Sequence, residues 1–136
     1  MTRRPSSVVV DTDIFIDYMN GFERTRELLD SPLSRVYFAA ITRKELLAKP
    51  HLSSTERRRV ELLLLKHRLI PVDKIIAENF SFLLKKYSRQ DLRNADALIA
   101  ATACSRNLPL FTRNVRHYRF ISEINLFDPL KEPKRA

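Results

Sequence analysis

The sequence is poor in glycine and cysteine, and it lacks long apolar runs. Gly21 is the only glycine, which excludes a Walker loop or a dinucleotide fingerprint, because both need several glycines in one turn. The single cysteine, Cys104, cannot form an internal disulfide, as is typical of proteins of a reducing cytoplasm. No apolar run approaches the roughly 18 residues of a membrane span, and the first residues lack the apolar core of a signal peptide. We therefore expect a cytoplasmic protein without a membrane segment.

Acidic residues are outnumbered by basic ones. The chain has 25 Lys and Arg against 16 Asp and Glu, and its net charge is +9. Part of this excess lies in the first and last few residues, but the body of the chain is also basic. Such an excess favours a polyanionic partner, nucleic acid first of all, although good solubility is the simpler explanation.

The order of predicted elements indicates an α/β protein. With 136 residues the chain suits one domain over 1–136, with an ordered core at about 7–128 and a basic tail at 129–136. Strands are predicted at about 8–10, 36–40, 69–72, 108–111 and 124–127, with helices between them. This alternation favours a parallel sheet with right-handed crossovers.

Two carboxylates follow the first strand. Val8, Val9 and Val10 are three consecutive β-branched residues, which indicates a short buried strand, and Asp11 and Asp13 come directly after it. Parallel α/β sheets bind their ligands outside the carboxyl ends of the strands. A lone buried carboxylate is costly unless it is paired or binds a metal. We therefore take both as candidate functional residues, with helix capping as the alternative.

Other candidates come from later in the chain. Asp96 lies at the start of a helix of small apolar residues. An acid that only caps a helix at the protein surface would not need such neighbours, so Asp96 is a candidate functional residue. Thr112 and Asn114 follow a predicted strand, at the same sheet end as Asp11 if the sheet is parallel, and turn formation is their alternative. Glu45 stands three residues after Thr42, in the pattern of a capping box, which is its alternative role. Asp17 is expected to be a solvated helix residue.

These candidates are oxygen ligands only. The three histidines, His51, His67 and His117, show no ligand spacing, and no serine or cysteine has an evident base, so zinc sites and catalytic triads have no support. Several carboxylates on a basic body suggest Mg²⁺ or Mn²⁺ acting on phosphodiester bonds.

Four motifs carry a resemblance to a known family. They are V-V-V-D-T-D at 8–13, T-x-x-E-L-L at 42–47, D-A-L-I-A-A-T-A at 96–103 and T-R-N at 112–114. Their order and content resemble PIN-domain ribonucleases of the VapC toxin type, over nearly the whole chain. The third motif is the most specific, whereas the first alone would be weak.

The resemblance implies a three-layer fold with a five-stranded parallel sheet in the order 3-2-1-4-5. It also implies metal ligation and catalysis by Asp11, Glu45 and Asp96, an RNA substrate, a homodimer, and an antitoxin partner that covers the site. Members of the family often carry a further acid three residues after the asparagine of T-x-N. Here His117 holds that position, so the resemblance leaves open whether one or two metal ions bind, with Asp13 as a partial substitute.

Two surface features predict partners. Arg113 and Arg116 lie close to Thr112 and are candidates for binding RNA. The helix that ends near Lys66 carries leucine at four consecutive positions, 62–65, which is more than one buried face needs. We expect Leu62 and Leu65 to contact a second copy or an antitoxin helix, unless the next helix covers them within the monomer.

Two other functions remain open from the sequence. A hydrophobic strand followed by Asp11 and Asp13 also matches phosphatases of the haloacid dehalogenase type, although the late glycine-linked acidic pair of that family is not found. The second alternative is an RNA-binding module with an impaired site. The sequence does not reveal which RNA would be bound or cut.

Overall fold

The chain folds around a five-stranded parallel sheet. A computed structural model describes residues 7–127, and the two predicted basic ends at 1–6 and 129–136 lie outside this range. The strands are β1 (Ser7–Val10), β2 (Arg35–Ala39), β3 (Arg68–Ile70), β4 (Leu110–Phe111) and β5 (Leu126–Phe127), and their spatial order is 3-2-1-4-5. All four pairings are parallel. The predicted α/β class and strand order are therefore confirmed.

Helices connect the strands on both faces of the sheet. Within the described residues they are α1 (Thr12–Met19), α2 (Glu23–Asp30), α3 (Ala40–Leu47), α4 (Ser54–Leu65), α5 (Lys74–Lys86), α6 (Asn94–Arg106) and α7 (Val115–Tyr118), and a single 3-10 turn covers Ser88–Gln90. No helix between residues 7 and 127 is both long enough and apolar enough to cross a bilayer.

Alternation along β1 separates two hydrophobic cores. Val8 and Val10 point to one face, where they pack with residues of α1, α2 and α4. Val9 points to the other face and packs with residues of α5 and α6. Because successive side chains of a strand point to opposite faces, three consecutive valines serve both cores. β1 is thus buried on both sides, as the sequence predicts, and its end is held rigidly.

Side chains cap the starts of two helices. Ser53 and Glu56 form a capping box at the start of α4, and Asp73 caps α5 by accepting a hydrogen bond from the Ile76 N–H. The capping role of Thr42 is wrong, because α3 already begins at Ala40 after an Ala39 cap that makes no side-chain bond. Thr42 lies inside that helix and is fully buried, which leaves Glu45 free for another contact.

Helix α4 buries only one of its faces. Val60, Leu63 and Leu64 belong to the core on its side of the sheet. Leu62 and Leu65 remain 49% and 81% exposed. The alternative prediction, that α5 covers these two leucines within the monomer, is therefore wrong. Both leucines lie exposed on the surface of α4.

Candidate functional site

The candidate site lies where β1 and β4 end side by side. The Asp11 N–H donates to the Phe111 carbonyl at 2.9 Å, which continues the pairing of the two strands. This pairing brings together side chains 101 positions apart, and the Thr112 hydroxyl donates to Asp11 Oδ2 at 2.7 Å. The sheet alone therefore fixes one wall of the site at its carboxyl edge.

Asp11 is a buried carboxylate with two hydrogen bonds. Its side chain is 4% exposed, and Oδ1 accepts from the Thr12 N–H at 2.7 Å at the start of α1. Burial raises the pKa of Asp11, the bonds from Thr112 and Thr12 oppose that rise, and the nearby charge of Asp96 adds to it. Capping and a site role therefore coexist at this residue.

Asp96 reaches the site from the first turn of α6. Its Oδ1 accepts from the Tyr118 hydroxyl at 3.1 Å, and its Oδ2 lies 3.3 Å from His117 Nδ1. Tyr118 is completely buried, and its pKa is raised by burial and by the charges of Asp11 and Asp96. Its hydroxyl therefore stays protonated and acts as a donor. Nothing in the sequence distinguished this tyrosine from a core residue.

Glu45 is joined to the site through Thr12. The Thr12 hydroxyl donates to Glu45 Oε1 at 2.6 Å, and the Thr42 hydroxyl lies 3.1 Å from that of Thr12. Since the N–H of the same Thr12 bonds to Asp11, one residue positions two carboxylates. Glu45 itself is exposed, so the contact holds it at the mouth of the site.

A second acidic group lies on α1 beside the first. Asp13 Oδ2 accepts from the Arg113 N–H at 3.1 Å, and its Oδ1 is buried without a partner. Burial and the charge of Asp11 raise the pKa of Asp13 to about 7. Asp13 is therefore not the helix cap that was its alternative role, and its ionised form is disfavoured at this position.

The solvated role predicted for Asp17 is wrong. Its side chain is only 6% exposed, and its Oδ2 binds Arg113 Nε at 2.7 Å. Burial raises the pKa of Asp17, and the Arg113 charge opposes that rise. The helical spacing explains the error, because Asp13 and Asp17 are one turn apart and face the same arginine.

The remaining predicted residues lie on the rim. Asn114 and Arg116 are exposed, and the Asn114 N–H donates to the Thr112 hydroxyl at 3.0 Å. This hydrogen bond is the turn contact that was the alternative role of Thr112 and Asn114. The same Thr112 hydroxyl also donates to Asp11. Arg113 is more than half exposed although its Nε is bound by Asp17.

Comparison with known proteins shows which family this chain belongs to. The PIN domain family matches residues 8–121. The chain belongs to the PIN-domain family. It is 32% identical over 133 residues to ribonuclease VapC10 of Mycobacterium tuberculosis, an alignment that covers 93% of this chain and 92% of that protein.

Solved structures agree with this assignment. The structure of VapBC-1 from nontypeable Haemophilus influenzae matches 90% of this chain and 97% of its own, with a TM-score of 0.74 and 26% identity. The DNA-bound VapBC structure from Salmonella typhimurium matches 91% and 98%, with a TM-score of 0.79 and 25% identity. The expected family resemblance is therefore confirmed over nearly the whole chain.

The PIN-domain site has an oxygen-only donor set. Asp11, Asp96 and Glu45 supply carboxylates, while the nearest nitrogen group is His117, already bound to Asp96. In residues 7–127 no group of three or more His, Cys, Asp or Glu side chains is arranged to hold a metal ion directly. This does not conflict with Mg²⁺, which commonly binds one or two carboxylates and keeps several waters.

Proposed function

We propose that this chain is an endoribonuclease of the VapC type that depends on Mg²⁺ or Mn²⁺. The main support is a pair of carboxylates, buried Asp11 and half-buried Asp96, each held by a hydroxyl donor near the carboxyl edge of the sheet. Folding two like charges into one site is unfavourable unless a cation or a proton compensates them. The observation that carries the proposal is the position of Asp11, which is 4% exposed at the end of β1 and lies near Asp96, whose charge adds to the burial-raised pKa of Asp11.

The donor set fits a hard divalent cation. Asp11 and Asp96 are the proposed direct ligands, and exposed Glu45 would contact the ion through a water molecule, in keeping with the dispersed geometry. A bound ion of this kind supplies an activated water and offsets charge at the phosphorus. His117 contributes no carboxylate where related proteins often have one, so a single ion is the simpler arrangement.

The residues of the chain would orient this chemistry. Thr112 donates to Asp11 and Tyr118 donates to Asp96, which fixes the direction of both carboxylates, while Thr12 donates to Glu45. Keeping these groups in place before substrate binds lowers the reorganisation needed during reaction. Asp13 and Asn114 have supporting roles in the proposal, at the back and at the rim of the site.

The basic rim would bind the substrate. Arg113, on the β4–α7 turn, and Arg116, in α7, flank the site. A polyanion such as RNA binds to such residues with release of counterions. Arg113 is further oriented by Asp17, and its side chain remains 59% exposed to solvent.

The test is cleavage of a structured RNA by the full-length protein. We expect cleavage with Mg²⁺ or Mn²⁺, none with a chelator, and a loss of at least 100-fold in Asp11→Asn, in line with the loss of a central electrostatic group. Asp91→Asn is the matched control, because Asp91 is exposed and its left-handed backbone (φ 57°) suits asparagine. Cleavage that persists in Asp11→Asn would refute the proposal.

Two assays separate the alternatives. In the cleavage assay, a catalytically impaired RNA-binding module would bind RNA but would not cleave it under any metal condition. A phosphatase of the haloacid dehalogenase type would form an aspartyl phosphate on Asp11, so it would bind fluoroberyllate as a mimic of that group. The match to the PIN domain family disfavours the phosphatase hypothesis.

An antitoxin is the proposed protein partner, and the chain is expected to form a homodimer in the cytoplasm. A cleft of about 420 Å³ runs between α1, α3 and α4, and Ile16, Met19, Leu46 and Val60 line it together with Glu45. Such a groove suits the apolar face of an amphipathic helix. A helix seated there would cover Glu45. Exposed Leu62 and Leu65 do not line this cleft, so they are the candidate contact for a second copy on another face of α4.

A further inference from the structure

A second cleft opens on the other side of the acidic site. Its volume is about 640 Å³, and its walls come from the α1–α2 turn and the β4–α7 turn. Thr112, which donates to Asp11, lies in its lining, so the cleft and the acidic site share a residue. The cleft is therefore next to the acidic site.

An exposed aromatic ring stands at this cleft. Phe22 is 55% exposed, although large apolar side chains are usually buried. Its backbone is held at both ends, because its N–H donates to the Asp17 carbonyl at 3.1 Å and its carbonyl accepts from the Arg26 N–H at 3.0 Å. A ring on a fixed backbone loses little conformational freedom when a ligand packs against it.

The charges around the ring are balanced. Arg24 and Arg113 line the cleft together with Glu23 and Asp17, and Asp17 is bound by Arg113. A phosphate would gain little in such surroundings, whereas an uncharged planar group would gain apolar contact with Phe22 and Val115. The arginines at the rim of the acidic site would meanwhile bind the sugar–phosphate backbone of the RNA.

We propose that this cleft is a nucleobase subsite, in which Phe22 stacks on an unpaired base next to the bond that is cut. The inference rests on the proposed ribonuclease function and deepens it. Single-stranded RNA is commonly recognised by aromatic rings that stack on splayed bases beside a cationic path. The subsite makes a single-stranded stretch, rather than a continuous duplex, the substrate class at the cleavage point.

Tryptophan at position 22 gives a direct test. The sequence contains no tryptophan, so Phe22→Trp in an Asp96→Asn background carries a single fluorescent reporter on a chain expected to be unable to cleave. Oligoadenylate of about eight nucleotides, within the usual site size, should quench its emission by stacking. Phe82→Trp is the matched control, because Phe82 is 52% exposed on α5 and does not line the cleft. Quenching that is absent, or equal in the two variants, would overturn the proposal.

Affinity measurements complete the test in the same Asp96→Asn background. Phe22→Ala should weaken oligoadenylate binding about 5- to 150-fold, the range reported by alanine substitution of stacking aromatics, and Phe22→Tyr should restore most of it. Phe82→Ala should bind as its parent does. With an oligonucleotide of the same length that lacks bases, Phe22→Ala and its parent should bind equally.

Three results would count against the subsite. Equal oligoadenylate binding by Phe22→Ala and its parent would refute it while leaving the ribonuclease function in place. A change of oligomeric state in Phe22→Ala would assign the ring to a contact between copies instead. Failure of the parent to bind RNA at all would overturn the subsite together with the ribonuclease function.

Discussion

Replacing Thr112 with valine removes one hydroxyl from the centre of the site and preserves the shape of the side chain. That hydroxyl donates to Asp11 Oδ2 at 2.7 Å and accepts from the Asn114 N–H at 3.0 Å. A hydrogen bond to a charged group contributes about 1.5–3 kcal/mol. We therefore expect Thr112→Val to lower the free energy of unfolding by about 2 kcal/mol, and to reduce cleavage because Asp11 is no longer oriented.

The loss of unfolding free energy in Thr112→Val should depend on pH in a defined direction. Burial raises the pKa of Asp11 and the Thr112 hydroxyl opposes that rise, so valine should raise this pKa further. The destabilisation is then largest where Asp11 is ionised and shrinks as the pH falls through its folded-state pKa. Urea unfolding at mildly alkaline and at acidic pH, with a chelator present, measures both values.

Thr102→Val is the matched control for this experiment. Thr102 is 1% exposed, and its hydroxyl donates to the Leu98 carbonyl at 2.7 Å within α6. That bond involves no charged group, so its loss should cost about 1 kcal/mol or less and should not vary with pH. Equal destabilisation by the two substitutions, or a Thr112→Val loss that grows toward acidic pH, would refute the reasoning.

Three further predictions concern charge and surface. Without metal, Asp13→Asn should be more stable than the parent above neutral pH, because a carboxyl whose pKa is raised to about 7 loses stability as the pH rises from about 4 to 7. Because solvent screens this partly exposed group, we expect the free energy of unfolding of Asp13→Asn to exceed that of the parent by about 1–2 kcal/mol. Parallel pH profiles of that free energy in the two proteins would contradict this prediction. Arg116→Gln should flatten the salt dependence of RNA affinity by about 0.7 in the log–log slope without altering the melting temperature, and an unchanged slope would place the RNA path elsewhere. Glutamate at Leu62 and Leu65 should leave a folded monomer that no longer dimerises or no longer binds its antitoxin, as sedimentation and inhibition assays would show, whereas unfolding would assign both leucines to the core.

The parts of the site that follow from strand ends could be predicted. Asp11 and Thr112 each come directly after a buried strand, and parallel pairing must place such residues at one edge. The capped helices were predictable for a similar reason, because Ser53 and Asp73 each accept a hydrogen bond from a backbone N–H three residues later. Local rules were sufficient wherever the partner is close in sequence or fixed by the sheet.

The missed residues depend on partners that no local pattern reveals. Asp17 looks like a surface acid and Tyr118 like a core ring. Only the tertiary fold brings Arg113 of the β4–α7 turn to Asp17 and places Tyr118 of α7 beside Asp96. Thr42 illustrates the opposite error, since a capping-box pattern was present but the helix began two residues earlier. Two strands are also shorter than predicted, because β4 and β5 have two residues each.

The central position of β1 has a consequence for how the protein is made. β1 lies between β2 and β4, so one side of the strand that leads to Asp11 stays unpaired until residues 110–111 have left the ribosome. Before that moment Asp11 has neither the Thr112 hydroxyl nor the buried Tyr118 side chain beside it. We therefore expect a nascent chain that contains Asp11, Glu45 and Asp96 but lacks residues 110–118 to be inactive as a nuclease. The proposed nuclease would become active only after β4 has paired with β1.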